Sequence, residues 1–147
     1  MKLNFFLLLL TFLAAVTLTS ASDSSSGNNI KKITIGERRT TVVVINHTSD
    51  QLNLIPYSVN LSSGTWEQYP SDTISPSGGE VQWRCKASFA RTEGSAIYQG
   101  AHGRITFYWA NPFFNPNNVY SVTCPGYKCN WEEERDGDNA VVRFNIR

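Results

Sequence analysis

The chain has 147 residues, of which 41% are hydrophobic and 17% are charged, and its formal net charge is +1. This length suits one domain. Without Lys2, which lies in the leader described next, the chain has 12 Lys and Arg residues and 12 Asp and Glu residues. Such a balance excludes long-range attraction to nucleic acid as the basis of function, so we expect no nucleic-acid partner.

Residues 1–21 predict a secretory signal peptide. A basic start at Lys2 precedes the apolar run FFLLLLTFLAAV, which is shorter than the ~20 residues that a membrane-spanning helix needs. The small residues Thr19 and Ala21 occupy the positions that precede a cleavage site. We therefore expect the mature protein to begin at Ser22 and to be secreted.

Residues 33–147 predict one all-β domain, a single antiparallel β-sandwich of about ten short strands. Residues 22–32 before it are mostly small and polar and predict a disordered leader. Clusters of Gly, Pro, Asn, Asp and Ser separate the β-rich runs, and no window has helical spacing. The expected strands are IKKITI, TTVVVIN, QLNLIPYSV, TWEQY, EVQWRCKASF, AIYQG, RITFYWA, VYSVTC, CNWEE and AVVRFNI. The alternation of Val81, Trp83 and Cys85 with polar residues indicates a strand with one buried face and one solvent-exposed face.

Two segments match the acceptor pattern for N-linked glycans. They are Asn46-His47-Thr48 and Asn60-Leu61-Ser62. In an exported chain both asparagines could carry a glycan if they lie at a strand end or in a loop. We expect both Asn46 and Asn60 to be usable sites.

The three cysteines predict one disulfide bond and one free thiol. Cys124 and Cys129 bracket Pro125-Gly126-Tyr127-Lys128, in which Pro-Gly suits a turn that needs positive φ at its second position. We expect the two cysteines to be bridged across paired strands of a hairpin. Cys85 should then be a buried, small apolar residue.

The sequence favours neither catalysis nor a bound metal or other cofactor. His47 lies in a glycan motif and His102 in a glycine-flanked turn, and neither has an evident orienting carboxylate or activated nucleophile beside it. Three cysteines without a suitably spaced histidine do not complete a zinc site. The acidic segment around Asp136 and Asp138 could hold calcium but lacks the spacing of a helix-loop-helix site. We therefore expect a protein that is not an enzyme.

The segment PFFNPNN predicts a binding loop. It follows the apolar strand that ends near Trp109, and its prolines and asparagines make it a poor strand. Phe113 and Phe114 cannot both be buried cheaply there, which suggests a partner surface that covers them. The alternative is that Phe113 plugs the end of the core and Phe114 packs on the loop itself.

Short motifs over about residues 40–146 resemble the aegerolysins and the actinoporin-like proteins. The first half has N-x-T-x-x-x-L-x-L from Asn46, then SGTW, Pro70 and ISP; the second has TEG, Gly100, the apolar strand, Asn111-Pro112-Phe113 and Tyr120-Ser121. The resemblance implies a β-sandwich that recognises lipid headgroups through exposed aromatic residues. In some members pore formation follows, and some require a larger partner protein. The loop here is about two residues longer, and the polar leader lacks an amphipathic stripe, so autonomous lysis is not expected.

We therefore expect the loop from Asn111 to Tyr120 to contact a membrane lipid or glycolipid surface. The expected site comprises Trp109 as support, Pro112, Phe113 and Phe114 in the loop, Tyr120 as the hydroxyl that meets a phosphate or sugar, and Trp131 at its flank. The alternative function is a secreted carbohydrate-binding or cell-surface adhesion protein, which would use the same aromatic platform on glycans. A structural matrix domain without a small ligand is a third interpretation.

Overall fold

The computed structural model describes residues 36–114 and 117–147, which form eleven β-strands. They are β1 (Glu37–Asn46), β2 (Leu52–Leu54), β3 (Asn60–Ser63), β4 (Thr65–Gln68), β5 (Thr73–Ile74), β6 (Gly79–Ser88), β7 (Thr92–Gly100), β8 (Gly103–Asn111), β9 (Val119–Thr123), β10 (Cys129–Arg135) and β11 (Asn139–Ile146). The predicted signal peptide, leader and first strand IKKITI lie outside the described residues.

Two sheets pack face to face, which confirms the predicted β-sandwich. The five-stranded sheet has the order β10-β11-β1-β6-β4, and the six-stranded sheet has β5-β2-β7-β8-β9 with β3 also paired to β7. Strands β1 and β11 are parallel, and the other described pairs are antiparallel. The sheets are therefore built almost wholly from antiparallel neighbours, as the short connections require.

The core lies between the sheets and is rich in aromatic residues. On β6 the predicted alternation is confirmed, because Trp83 and Cys85 are fully buried. Trp83 packs edge-on against Phe107 of β8 in the opposite sheet, with ring centres 5.9 Å apart. A buried hydrogen bond of 2.6 Å between the hydroxyls of Thr40 and Thr92 joins β1 to β7. Inward residues of both sheets thus fix their relative position.

Several strand boundaries differ from the expected ones. The run QLNLIPYSV is not one strand, because Pro56 lacks an N–H and begins a turn between β2 and β3. The run AIYQG extends back to Thr92, since Gly94 lets β7 pass close to Trp109; a Cβ at Gly94 would lie 2.6 Å from that ring. The short strands β3 and β5 were both missed. Nine of the ten expected strands lie within the described residues, and these two additions make eleven.

The disulfide bond between Cys124 and Cys129 is confirmed, with the Cα atoms 6.3 Å apart. Gly126 has the positive φ, +88°, that the Pro-Gly turn predicted. The expected hairpin is wrong, however. β9 pairs with β8 in one sheet, whereas β10 pairs with β11 in the other. The bridge therefore closes a connection that crosses between the sheets. Cys85 is free and buried, as predicted.

Candidate functional site

Phe89, Phe113 and Phe114 form an exposed aromatic cluster at one end of the sandwich, where β6 and β8 end. Phe114 is 93% exposed, while Phe113 is partly buried. Their ring centres are 4.8 Å apart and the rings are perpendicular. The expectation that both rings could not be buried is confirmed. Phe113 packs on its neighbours in the cluster and does not plug the core.

Phe89 was not predicted as a site residue. It was assigned to the end of the strand EVQWRCKASF, but β6 ends at Ser88. Phe89 is 71% exposed, its ring centre lies 6.2 Å from that of Phe113, and its φ is +52°. A left-handed backbone is costly for a bulky residue, and here little burial compensates for it. The only available sequence signal was a phenylalanine immediately before a connection between strands.

A hollow of about 290 Å³ lies beside the cluster. The described residues that line it are Phe89, Ala90, Arg91, Pro112, Phe113 and Phe114. Arg91 is the charged member of this lining, and its Nε lies 2.7 Å from Oε2 of Glu93. The hollow is therefore mainly apolar, with one guanidinium at its edge that is already paired.

Arg38 of β1 connects the aromatic cluster to the five-stranded sheet. Its Nη2 donates a 2.9 Å hydrogen bond to the carbonyl oxygen of Phe113, and its Nη1 forms an ion pair with Asp138. The guanidinium carbon lies 5.4 Å from the centre of the Phe113 ring. Asn111 makes a second connection, since its Nδ2 donates to the carbonyl oxygens of Arg39 and Gly137. The start of the loop is thus held on a rigid frame.

Trp109 is fully buried beneath this end. Its ring centre lies 5.7 Å from that of Trp83 and 6.0 Å from that of Trp66. Trp109 is therefore a core residue that supports β8, and its side chain is not accessible from the surface.

Tyr120 and Trp131 form a separate pair on β9 and β10. Their ring centres are 5.4 Å apart, and Trp131 is 44% exposed. Tyr120 is buried, and its hydroxyl donates a 3.0 Å hydrogen bond to Glu133. Burial, together with this hydrogen bond, raises the pKa of the Tyr120 phenol. The Tyr120 hydroxyl was expected to bind a phosphate or sugar. It is instead already hydrogen-bonded to Glu133.

The acidic turn after β10 is tied to the loop by Asn118. Its Nδ2 donates to Glu133 at 2.6 Å and to Asp136 at 2.8 Å. Asp136 also accepts a hydrogen bond from the N–H of Gly137. Within residues 36–114 and 117–147, no three His, Cys, Asp or Glu side chains converge as a metal-binding group would.

The two glycan motifs differ in accessibility. Asn46 is fully buried, and its Nδ2, the atom that would carry the sugar, donates to the carbonyl oxygens of Asp50 and Ser75. A glycan on Asn46 is incompatible with this fold, which corrects that expectation. Asn60 is exposed at the start of β3.

Distant residues give His102 a carboxylate neighbour that its local sequence did not suggest. Nε2 of His102 lies 3.6 Å from Oδ2 of Asp50, and the Tyr127 hydroxyl donates to the same oxygen at 2.9 Å. The N–H of His102 in turn donates to the Tyr127 hydroxyl. His102 is exposed in the turn between β7 and β8, as expected. These contacts hold the loop closed by the Cys124–Cys129 disulfide bond against the turn between β7 and β8.

No protein-family model matches the chain, and a search of curated proteins finds no significant match. The resemblance to aegerolysins and actinoporin-like proteins therefore rests on the short sequence motifs. The described residues contain no helix that is long and apolar enough to cross a membrane.

Proposed function

We propose that the chain is a secreted, non-enzymatic protein that binds membrane lipid headgroups through its aromatic cluster. The observation that carries this proposal is the exposure of Phe89 and Phe114 beside Phe113, whose carbonyl oxygen accepts a hydrogen bond from Arg38. Exposed phenylalanines are unfavourable in water, and they gain free energy between lipid headgroups and acyl chains. The disulfide bond is compatible with an extracellular protein.

The charges beside the cluster favour apolar insertion over attraction to anionic lipid. Arg38 is paired with Asp138, and Arg91 is paired with Glu93. These two cations, which lie beside the cluster among the described residues, are thus already paired with carboxylates, and the mature chain is predicted to have no net charge. Zwitterionic headgroups suit such a surface better than strongly anionic ones.

The expected affinity of one cluster is modest. Burying two phenyl rings contributes on the order of 3 kcal/mol, which is too little for firm attachment once the cost of association is included. Several copies, or a defined headgroup contact in the hollow beside Arg91, would raise the affinity. The resemblance suggests that a partner protein could supply pore formation.

The mainly apolar lining of the hollow favours a lipid ligand over a sugar. A sugar site requires several hydrogen-bonding groups, whereas the described lining has Arg91 as its one polar side chain. Sedimentation with sugar-free phosphatidylcholine vesicles tests the choice. The proposal predicts sedimentation that free monosaccharides leave unchanged. Binding to a glycan array without binding to vesicles would favour the lectin alternative.

A further inference from the structure

Tyr57 is a fully exposed aromatic residue in a left-handed backbone conformation, with φ +60°. The N–H of Ser58 donates to the carbonyl oxygen of Ile55 at 3.1 Å. With Pro56 at its second position and positive φ at its third, this is a type II turn. The third position favours Gly or Asn because a Cβ is crowded there. The backbone of Tyr57 is strained, yet its ring gains no burial among the described residues, which indicates that something else covers the ring.

The segment after the turn contains the exposed glycan acceptor Asn60. Ile55 N and Ser58 Oγ both donate to the carbonyl oxygen of Ile97, and Asn60 pairs with Ser95. Both ends of the segment are therefore fixed to the edge of β7. The Cα atoms of Tyr57 and Asn60 lie at most about 11 Å apart, because three extended residues span no more. A tyrosine side chain and an asparagine-linked sugar can meet over that distance.

We propose that Asn60 carries an N-linked glycan and that the ring of Tyr57 packs against its first N-acetylglucosamine. The C–H face of a sugar ring is apolar and packs on the face of an aromatic ring, which removes apolar surface of both from water. This contact accounts for an exposed tyrosine where the turn itself favours glycine. The inference rests on the proposed secretion, since the glycan is added during export. It does not depend on lipid binding.

The test is production of the full chain with its own leader in eukaryotic secretory cells. The mass of the secreted chain should fall on enzymatic removal of N-glycans, and the change should be lost in Asn60→Gln. The parent is then compared in two forms, one trimmed to the first N-acetylglucosamine and one with no sugar. We expect removal of that last sugar to lower Tm by about 3 °C.

Two matched variants separate the ring from the turn. Tyr57→Phe keeps the ring and should keep the Tm difference between the two forms. Tyr57→Asn removes the ring but suits the left-handed backbone, so the difference should vanish.

Three results would overturn the inference. A secreted chain without a glycan on Asn60 overturns it and leaves the proposed lipid binding intact. An undiminished Tm difference in Tyr57→Asn overturns the contact with the ring. Retention of the whole chain inside the cell overturns both this inference and the proposed secretion.

Discussion

The guanidinium of Arg38 supports Phe113 in two ways, through a 2.9 Å hydrogen bond from Nη2 to the Phe113 carbonyl oxygen and through its position 5.4 Å from the ring centre. The two residues are 75 positions apart in the chain. This contact fixes one phenylalanine of the aromatic cluster relative to the sheet. The aromatic cluster is therefore anchored to the five-stranded sheet at Phe113.

Replacing Arg38 should loosen the cluster. We expect Arg38→Gln to lower the free energy of unfolding by about 1–2 kcal/mol, because the Phe113 carbonyl loses a charged donor. Hydrogen exchange at the Phe113 and Phe114 amides should become faster, and binding to zwitterionic vesicles should weaken. Arg104→Gln is the matched control, since Arg104 is an exposed arginine at the opposite end of β8. Equal exchange and binding in both variants would contradict the support assigned to Arg38.

The disulfide bond should add modest stability. Replacing Cys124 and Cys129 by alanine opens a loop with a sequence separation of 5, which in the chain-entropy model costs about 2 kcal/mol. Because the bridge closes a crossing between the sheets, exchange should increase at Tyr127 and His102, which dock there. Chemical denaturation and hydrogen exchange measure the two effects. An unfolded double variant would contradict the modest role.

Because of Tyr120, the free energy of unfolding should decrease at alkaline pH. Its phenol has a folded-state pKa raised above the ordinary 10.0 by burial and by Glu133. Above pH 10 the unfolded chain therefore loses this proton first, and the free energy of unfolding decreases as pH rises. Tyr120→Phe should reduce that slope by up to about 1.4 kcal/mol per pH unit. Some slope should remain, because burial also raises the pKa of Tyr98.

Denaturation in urea at several pH values between 9 and about 11.5 measures this slope, since ordinary tyrosines titrate near the start of that range. Tyr108→Phe is the comparison variant. Burial and Glu93 also raise the pKa of Tyr108, but Tyr108 is more exposed than Tyr120, so this variant should reduce the slope by less. A parent whose stability is constant across the range would contradict the assignment.

The sequence predicted most of the fold because the fold depends on local patterns. The alternation of Trp83 and Cys85 with polar residues requires only a period of two. Pro-Gly at Pro125 predicted the positive φ of Gly126, because few residues adopt that conformation. The pairing of β9 and β10 with different strands could not be predicted from the same segment, since a turn of that length suits a hairpin as well as a crossing.

The candidate site was predicted less completely because it depends on contacts between distant residues. The exposure of Phe114 followed from its Pro- and Asn-rich loop. The left-handed backbone of Phe89 had no signal, since neither Gly nor Asn occupies that position. Burial of Asn46 depends on carbonyl oxygens of Asp50 and Ser75 that the fold brings to it. A glycan motif specifies the residues but not the accessibility of the amide.

The most direct test of the proposed function is vesicle binding by a Phe113→Ala, Phe114→Ala double variant. Parent and variant are compared by sedimentation with phosphatidylcholine vesicles and by thermal unfolding. Tyr57→Asn is the control, because it removes an exposed ring from the β2–β3 connection instead. We predict full binding in the control and loss of vesicle binding in the double variant, with Tm lowered by only a few degrees because the contact of Arg38 with the Phe113 ring is lost. Equal binding by the parent and the double variant would contradict the account.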